Sequence, residues 1–171
     1  MEPLIVALAI AGVAALAAIR RRQRRHPRGA RLAPRGRYPG DHEGPVDVVY
    51  APAVDGAPDP GEVVWTWVPY EEDHSKGKDR PVLLIGRDGP WLLALQMTSR
   101  DHALDAEQEA RWGRHWMDIG SGAWDRRRRP SEVRLDRIIR VAPGQVRREG
   151  AVLDRRRFEA VARSLSEHHH W

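Results

Sequence analysis

The sequence predicts a mainly β (α+β) domain, a small barrel of short strands with one C-terminal helix, set behind an apolar N-terminal segment and a linker. Three observations carry this. Short runs of β-branched, aliphatic and aromatic residues recur between residues 62 and 141, each bounded by Gly, Pro or charged turns. After Asp154 the apolar residues fall at i, i+3, i+4 and i+7, the pattern of one amphipathic helix. Before residue 60 the composition changes twice, from apolar to Arg-rich and then to Pro, Gly and Ala.

The run from Pro3 to Ile19 is apolar and uncharged over 17 residues. At about 1.5 Å per residue a helix of that length spans roughly 25 Å, near the lower limit for crossing a bilayer. Glu2 precedes it and Arg20-Arg21-Arg22-Gln23-Arg24-Arg25 follows it, the reverse of the charge order around a cleaved secretory leader. Positive charge stays inside, so the expected arrangement is a single-pass anchor over residues 1–25, crossing the cell membrane through residues 3–19, with the rest facing the cytoplasm. A signal peptide and a non-structural leader are the alternatives. Residues 26–59 read as a Pro/Gly/Arg-rich linker with one apolar cluster, Val46-Asp47-Val48-Val49-Tyr50, which is either an edge strand or a patch in a tether. The folded domain is expected over residues 60–171.

Charge and cysteine content narrow the chemistry. The chain carries +5, but residues 1–37 hold nine Arg and one acid, for +8, and subtraction leaves residues 38–171 at −3. A nucleic-acid contact in the folded part must therefore rest on a local patch. Cysteine is absent, which excludes disulfides, thiolate catalysis and cysteine-ligated metals. The terminal run His168-His169-His170 is given no metal-binding role, and no metal or other cofactor is expected.

Within the domain, Pro60-Gly61 is a turn and Glu62–Val68 the first strand, ended by Pro69. A polar loop, Tyr70–Asp79, leads to Val82-Leu83-Leu84-Ile85, apolar throughout and so buried on both faces. Arg87-Asp88-Gly89-Pro90 turns the chain into a third strand, Trp91–Met97. Asp101–Arg114 loses the period-2 pattern and suits a short exposed helix or a loop. Trp116–Ile119 forms a fourth strand and Ser131–Val141 a fifth, with room for a kink. Asp154 caps a helix whose Phe158, Val161, Ala162 and Leu165 share one stripe. Short strands with one terminal helix make an SH3-like small barrel.

Chemistry can be placed on this frame. Arg80 precedes a proline that biases it toward extended backbone, and its guanidinium offers a fork of donors suited to phosphate oxygens. An ion pair with Asp79 is the bland alternative. Thr98 ends the third strand, where its hydroxyl either donates to a phosphate oxygen or satisfies local backbone. A hairpin turned at 87–90 brings Arg80 and Thr98 to one edge. Arg134 and Asp136 alternate onto one face of the fifth strand, as a proton-transfer pair or as a solvated ion pair. His74 lies in the polar loop six residues before Arg80, where an imidazole suits proton transfer. Trp112, Trp116 and Trp124 flank Arg126-Arg127-Arg128-Arg129, and aromatic rings beside Arg stack unpaired bases, although core packing is the better reading of Trp116.

Gly61-Glu62-Val63-Val64-Trp65, Arg80-Pro81-Val82-Leu83, Thr98-Ser99 and Val133-Arg134-Leu135-Asp136 together resemble the PemK/MazF family of toxin ribonucleases, a likeness covering roughly residues 60–166. The resemblance implies an SH3-like barrel that dimerises, cleaves single-stranded RNA without a metal by attack of the 2′-hydroxyl, and is silenced by a cognate antitoxin. It implies that Arg80 and Thr98 match the family's usual catalytic pair. Arg134 and Asp136 match an Arg-x-Asp that some members use, and His74 matches a loop histidine. The loop Ser75-Lys76-Gly77-Lys78 departs from the Gly/Gln-rich stretch of many members, and the segment 100–130 is longer and more charged than in compact ones. The expected activity is that of a membrane-tethered endoribonuclease toxin; the competing reading is a non-catalytic SH3-like module that grips nucleic acid or a protein.

Overall fold

The computed structural model describes residues 38–53, 55–102 and 106–169. The apolar segment 3–19 expected to anchor the chain lies outside them, and among the described residues no helix is long and apolar enough to cross a membrane.

The elements follow in the order β1 (Glu62–Pro69), β2 (Gly77–Asp88), β3 (Trp91–Thr98), α1 (Ala106–Arg111), β4 (Trp116–Gly120), β5 (Ser131–Val141), β6 (Arg148–Val152) and α2 (Arg155–His169). All six strands form one antiparallel sheet in the order β4-β5-β3-β2-β1-β6. Register shifts at Val63/Val64, Leu84/Gly86, Leu95/Met97 and Asp118/Gly120 place a bulge in nearly every ladder. Each bulge adds local twist and bend, so the sheet curls. It closes only half a barrel, because among the described residues no ladder joins β4 to β6.

Curling gives the central strands a core on each face. On one, Phe158, Val161 and Leu165 of α2 pack onto Val63, Leu83, Leu95, Val133 and Leu135. On the other, Val64, Val82, Leu84, Leu92 and Ile139 form a smaller cluster. Neighbours such as Leu83 and Leu84 divide between the two, which is why that strand is apolar without alternation. Fully burying each such side chain contributes about 1.5–3 kcal/mol. The cap on α2 is the one expected: Asp154 Oδ1 accepts the Arg157 N–H at 3.0 Å.

Three elements differ from expectation. β2 starts at Gly77 rather than at Val82, because Gly77 to Asp79 pair with Pro69 to Trp67 and lengthen the hairpin. β6, charged and glycine-bearing, carries little strand signal and is held by pairing with β1. The linker reading ends earlier than expected, since from Tyr38 the chain lies against the sheet as a strap. Val49 N–H donates to Ile85 O at 3.0 Å, and His42 N–H to Ile138 O at 2.8 Å. Asp41 binds Arg137 Nε at 2.7 Å, and Arg140 Nη1 donates to the Asp41 carbonyl at 2.7 Å. Where the strap crosses β2, a Cβ on Gly86 would sit 2.6 Å from Asp47 O, so only glycine fits.

Candidate functional site

The β2–β3 hairpin turns at Gly89, whose φ of +56° suits a residue without Cβ. Its open ends therefore emerge together. Val82 pairs with Gln96, so Arg80, two residues before, and Thr98, two residues after, point to the same face. Both line a cleft of about 430 Å³ with Arg134, Arg137, His102 and Trp116. They also share an adjoining hollow of about 150 Å³ with Trp65, Lys78 and Arg129.

Arg80 is half-buried and forms no ion pair among the described residues. Asp79, its nearest acid in sequence, is instead held by Arg147 Nη1 at 2.5 Å. Thr98 Oγ1 accepts the Arg100 N–H at 3.1 Å, which leaves the hydroxyl proton to be donated outward. A charged fork and a hydroxyl donor thus face one space that fits an anionic group.

Arg134 has a different role. It is 6% exposed, with Nη2 2.5 Å and Nε 3.0 Å from Asp136 Oδ2, and Nη1 3.0 Å from Glu71 Oε2. Burial works against its charge, but the hydrogen bonds from Arg134 to Asp136 and Glu71 outweigh that and raise its pKa further above the usual arginine range. Asp136 Oδ1 also accepts the His115 N–H at 2.8 Å. Both carboxylate oxygens are therefore engaged, and Asp136 fixes Arg134 from behind the cleft wall.

His74 does not line this cleft. It borders a larger cavity of about 830 Å³ with Tyr38, Trp67, Trp91 and Arg140, its ring edge-on to Tyr38 at 4.9 Å. The structure therefore separates it from the space shared by Arg80 and Thr98. Nor do the three tryptophans form a stacking row: Trp124 is core, with Nε1 donating to Ser131 Oγ at 3.1 Å, and Trp112 is 58% exposed. His168 and His169 belong to α2, where His169 Nε2 lies 2.7 Å from Leu135 O. Among the described residues no group of three or more His, Asp or Glu is placed to hold a metal.

One cleft residue was not singled out from the sequence. His102 is 9% exposed, its Nδ1 is 2.7 Å from Glu132 Oε2, and its ring stacks on Trp116 with centroids 4.2 Å apart and planes 2° from parallel. The signal available was alternation on β5, which puts Glu132 on the face of Arg134 and Asp136.

A profile of the PemK-like, MazF-like toxins of type II toxin-antitoxin systems matches residues 59–169. Two crystal structures of MazE-MazF from Deinococcus radiodurans, Form-III and Form-II, are similar at 17% identity each. The first covers 65% of this chain and 94% of that one at a TM-score of 0.44, and the second 66% and 96% at 0.45. A comparison with curated proteins returned no match.

Proposed function

Because the chain belongs to the PemK-like, MazF-like toxin family of type II toxin-antitoxin systems, we propose that it is a toxin endoribonuclease that cleaves single-stranded RNA without a metal. The observation that carries this reading is the pairing, across one cleft, of an arginine with no carboxylate partner among the described residues and an outward-donating hydroxyl. The ribose 2′-oxygen attacks the adjacent phosphorus, the bond to the 5′-oxygen breaks, and a 2′,3′-cyclic phosphate remains. Arg80 binds the non-bridging oxygens and stabilises the negative charge that grows on them in the phosphorane. Thr98 donates to the same phosphate and fixes its orientation. Arg134, clamped between Asp136 and Glu71, forms a fixed wall beside them that does not have to reorganise.

Two partners follow from the family: a second copy of the chain and an acidic antitoxin that covers the cleft. The similar Deinococcus proteins carry MazE and MazF together in their crystals, and for this chain the antitoxin remains part of the proposal. The test is incubation of the full chain with single-stranded RNA in excess chelator, in parallel with Arg80→Ala and Thr98→Ala. Cleavage is expected from the wild type and a loss of about 10²–10³-fold from Arg80→Ala, the scale of removing one transition-state donor. RNA binding with no cleavage by the wild type would replace this reading with a non-catalytic module.

A further inference from the structure

Resting on the nuclease reading, we infer that His102 is the general base of the reaction, with Glu132 as the residue that orients it. The acid–base groups suggested by the sequence are engaged elsewhere. Asp136 is held by Arg134 and the His115 N–H, and His74 lies on another cavity. Of the carboxylates lining the cleft, Glu71 faces Arg134 at 3.0 Å, Glu109 accepts the Trp116 Nε1–H at 3.0 Å and lies 3.5 Å from Arg114, and Glu72 is exposed.

His102 is built for the task. Glu132 takes both its backbone N–H, at 3.3 Å, and its ring Nδ1, at 2.7 Å. A carboxylate on Nδ1 selects the tautomer with the proton there, which leaves the Nε2 lone pair as an acceptor. Parallel stacking on Trp116 fixes the ring plane, and Trp116 is itself anchored through Nε1 to Glu109. The imidazole is thus bound through Nδ1, and His102 lines the cleft it shares with Arg80 and Thr98. A base held in place by a partner that is in turn fixed is the arrangement general-base catalysis requires.

The step balances. His102 Nε2 takes the proton of the 2′-hydroxyl as the bond from O2′ to phosphorus forms. The bond from phosphorus to O5′ breaks, and the departing oxygen takes a proton from water. The imidazolium then returns its proton to the hydroxide so formed.

The test uses the full chain and two substitutions. His102→Asn keeps an N–H for Glu132 in place of Nδ1 and deletes Nε2, whereas His102→Ala empties the slot on Trp116. Both are expected to lose hundredfold or more in kcat, with His102→Asn unfolding within a few degrees of the wild type. Added imidazole should restore part of the activity of His102→Ala. Pyrrole, which has the same ring size and an N–H but no basic nitrogen, should not. Wild-type rates from His102→Asn, or an equal response of His102→Ala to the two heterocycles, would overturn the role of His102 while leaving the nuclease intact. A wild-type chain that cuts no RNA would overturn the reading on which it rests.

Discussion

Arg80 and Arg134 stand in one cleft and differ in what their removal should cost. Arg80 has no ion pair to lose among the described residues, so Arg80→Ala is expected to change unfolding free energy by no more than about 0.5 kcal/mol while abolishing most activity. Arg134 is buried between two carboxylates, and Arg134→Ala strands Asp136 beside a vacated guanidinium site. A loss of about 3 kcal/mol is expected in urea unfolding, with much of it regained in the double substitution Arg134→Met, Asp136→Leu. Equal stability losses at the two arginines would contradict the assignment. Part of this was legible in the sequence: period-2 alternation puts Arg134 and Asp136 on one face, and a short hairpin aligns Arg80 with Thr98. Which charges were already taken was not, because the partners that decide it are distant in sequence. Glu71 lies 63 residues from Arg134, and Arg147 lies 68 from Asp79.

Among the elements, the strap over residues 38–60 shows why composition misleads. Its Pro, Gly and charged residues read as a tether, yet β5 supplies Arg137 and Arg140 to hold it, and Tyr50 reaches the Leu153 carbonyl at 2.8 Å while its ring meets Phe158. Order here comes from tertiary partners that no local window contains. Asp41 is the pivot. Burial alone would raise its pKa, but hydrogen bonds from Arg137 and Tyr38 win and hold it below the ordinary carboxylate range. A depressed native pKa stabilises the fold fully above the unfolded value near pH 4, and that contribution is lost as pH falls through the native value. Asp41→Asn is therefore expected to cost about 3 kcal/mol near neutrality, because Arg137 is only 5% exposed, and to make the stability difference from wild type shrink below about pH 4. Urea titrations at pH 7 and pH 3 check this; a difference that does not change with pH would contradict it. The strands were the readable elements because β-branched runs with clear breaks mark them, whereas β6 was hidden by its charges and Gly150.

Across the whole molecule, a mildly acidic domain binds a polyanion only through local concentration of positive charge. The cleft gathers Arg80, Arg114, Arg134 and Arg137, and the β4–β5 connection adds Arg126, Arg127 and Arg128, all exposed, next to Arg129 at the adjoining hollow. Replacing Arg126, Arg127 and Arg128 by Gln is expected to weaken RNA affinity at low salt and to flatten its dependence on salt concentration, with little change in kcat at saturating RNA. An unchanged salt slope would remove this loop from the RNA path. The central claim, that one cleft directs a ribose oxygen onto its own phosphodiester, is tested most directly by mass spectrometry of the fragments released by the full chain in chelator. The account expects a 2′,3′-cyclic phosphate on one fragment, a 5′-hydroxyl on the other, and no cut at a nucleotide made 2′-deoxy; a cut at the deoxy position, or a 5′-phosphate product, would contradict it.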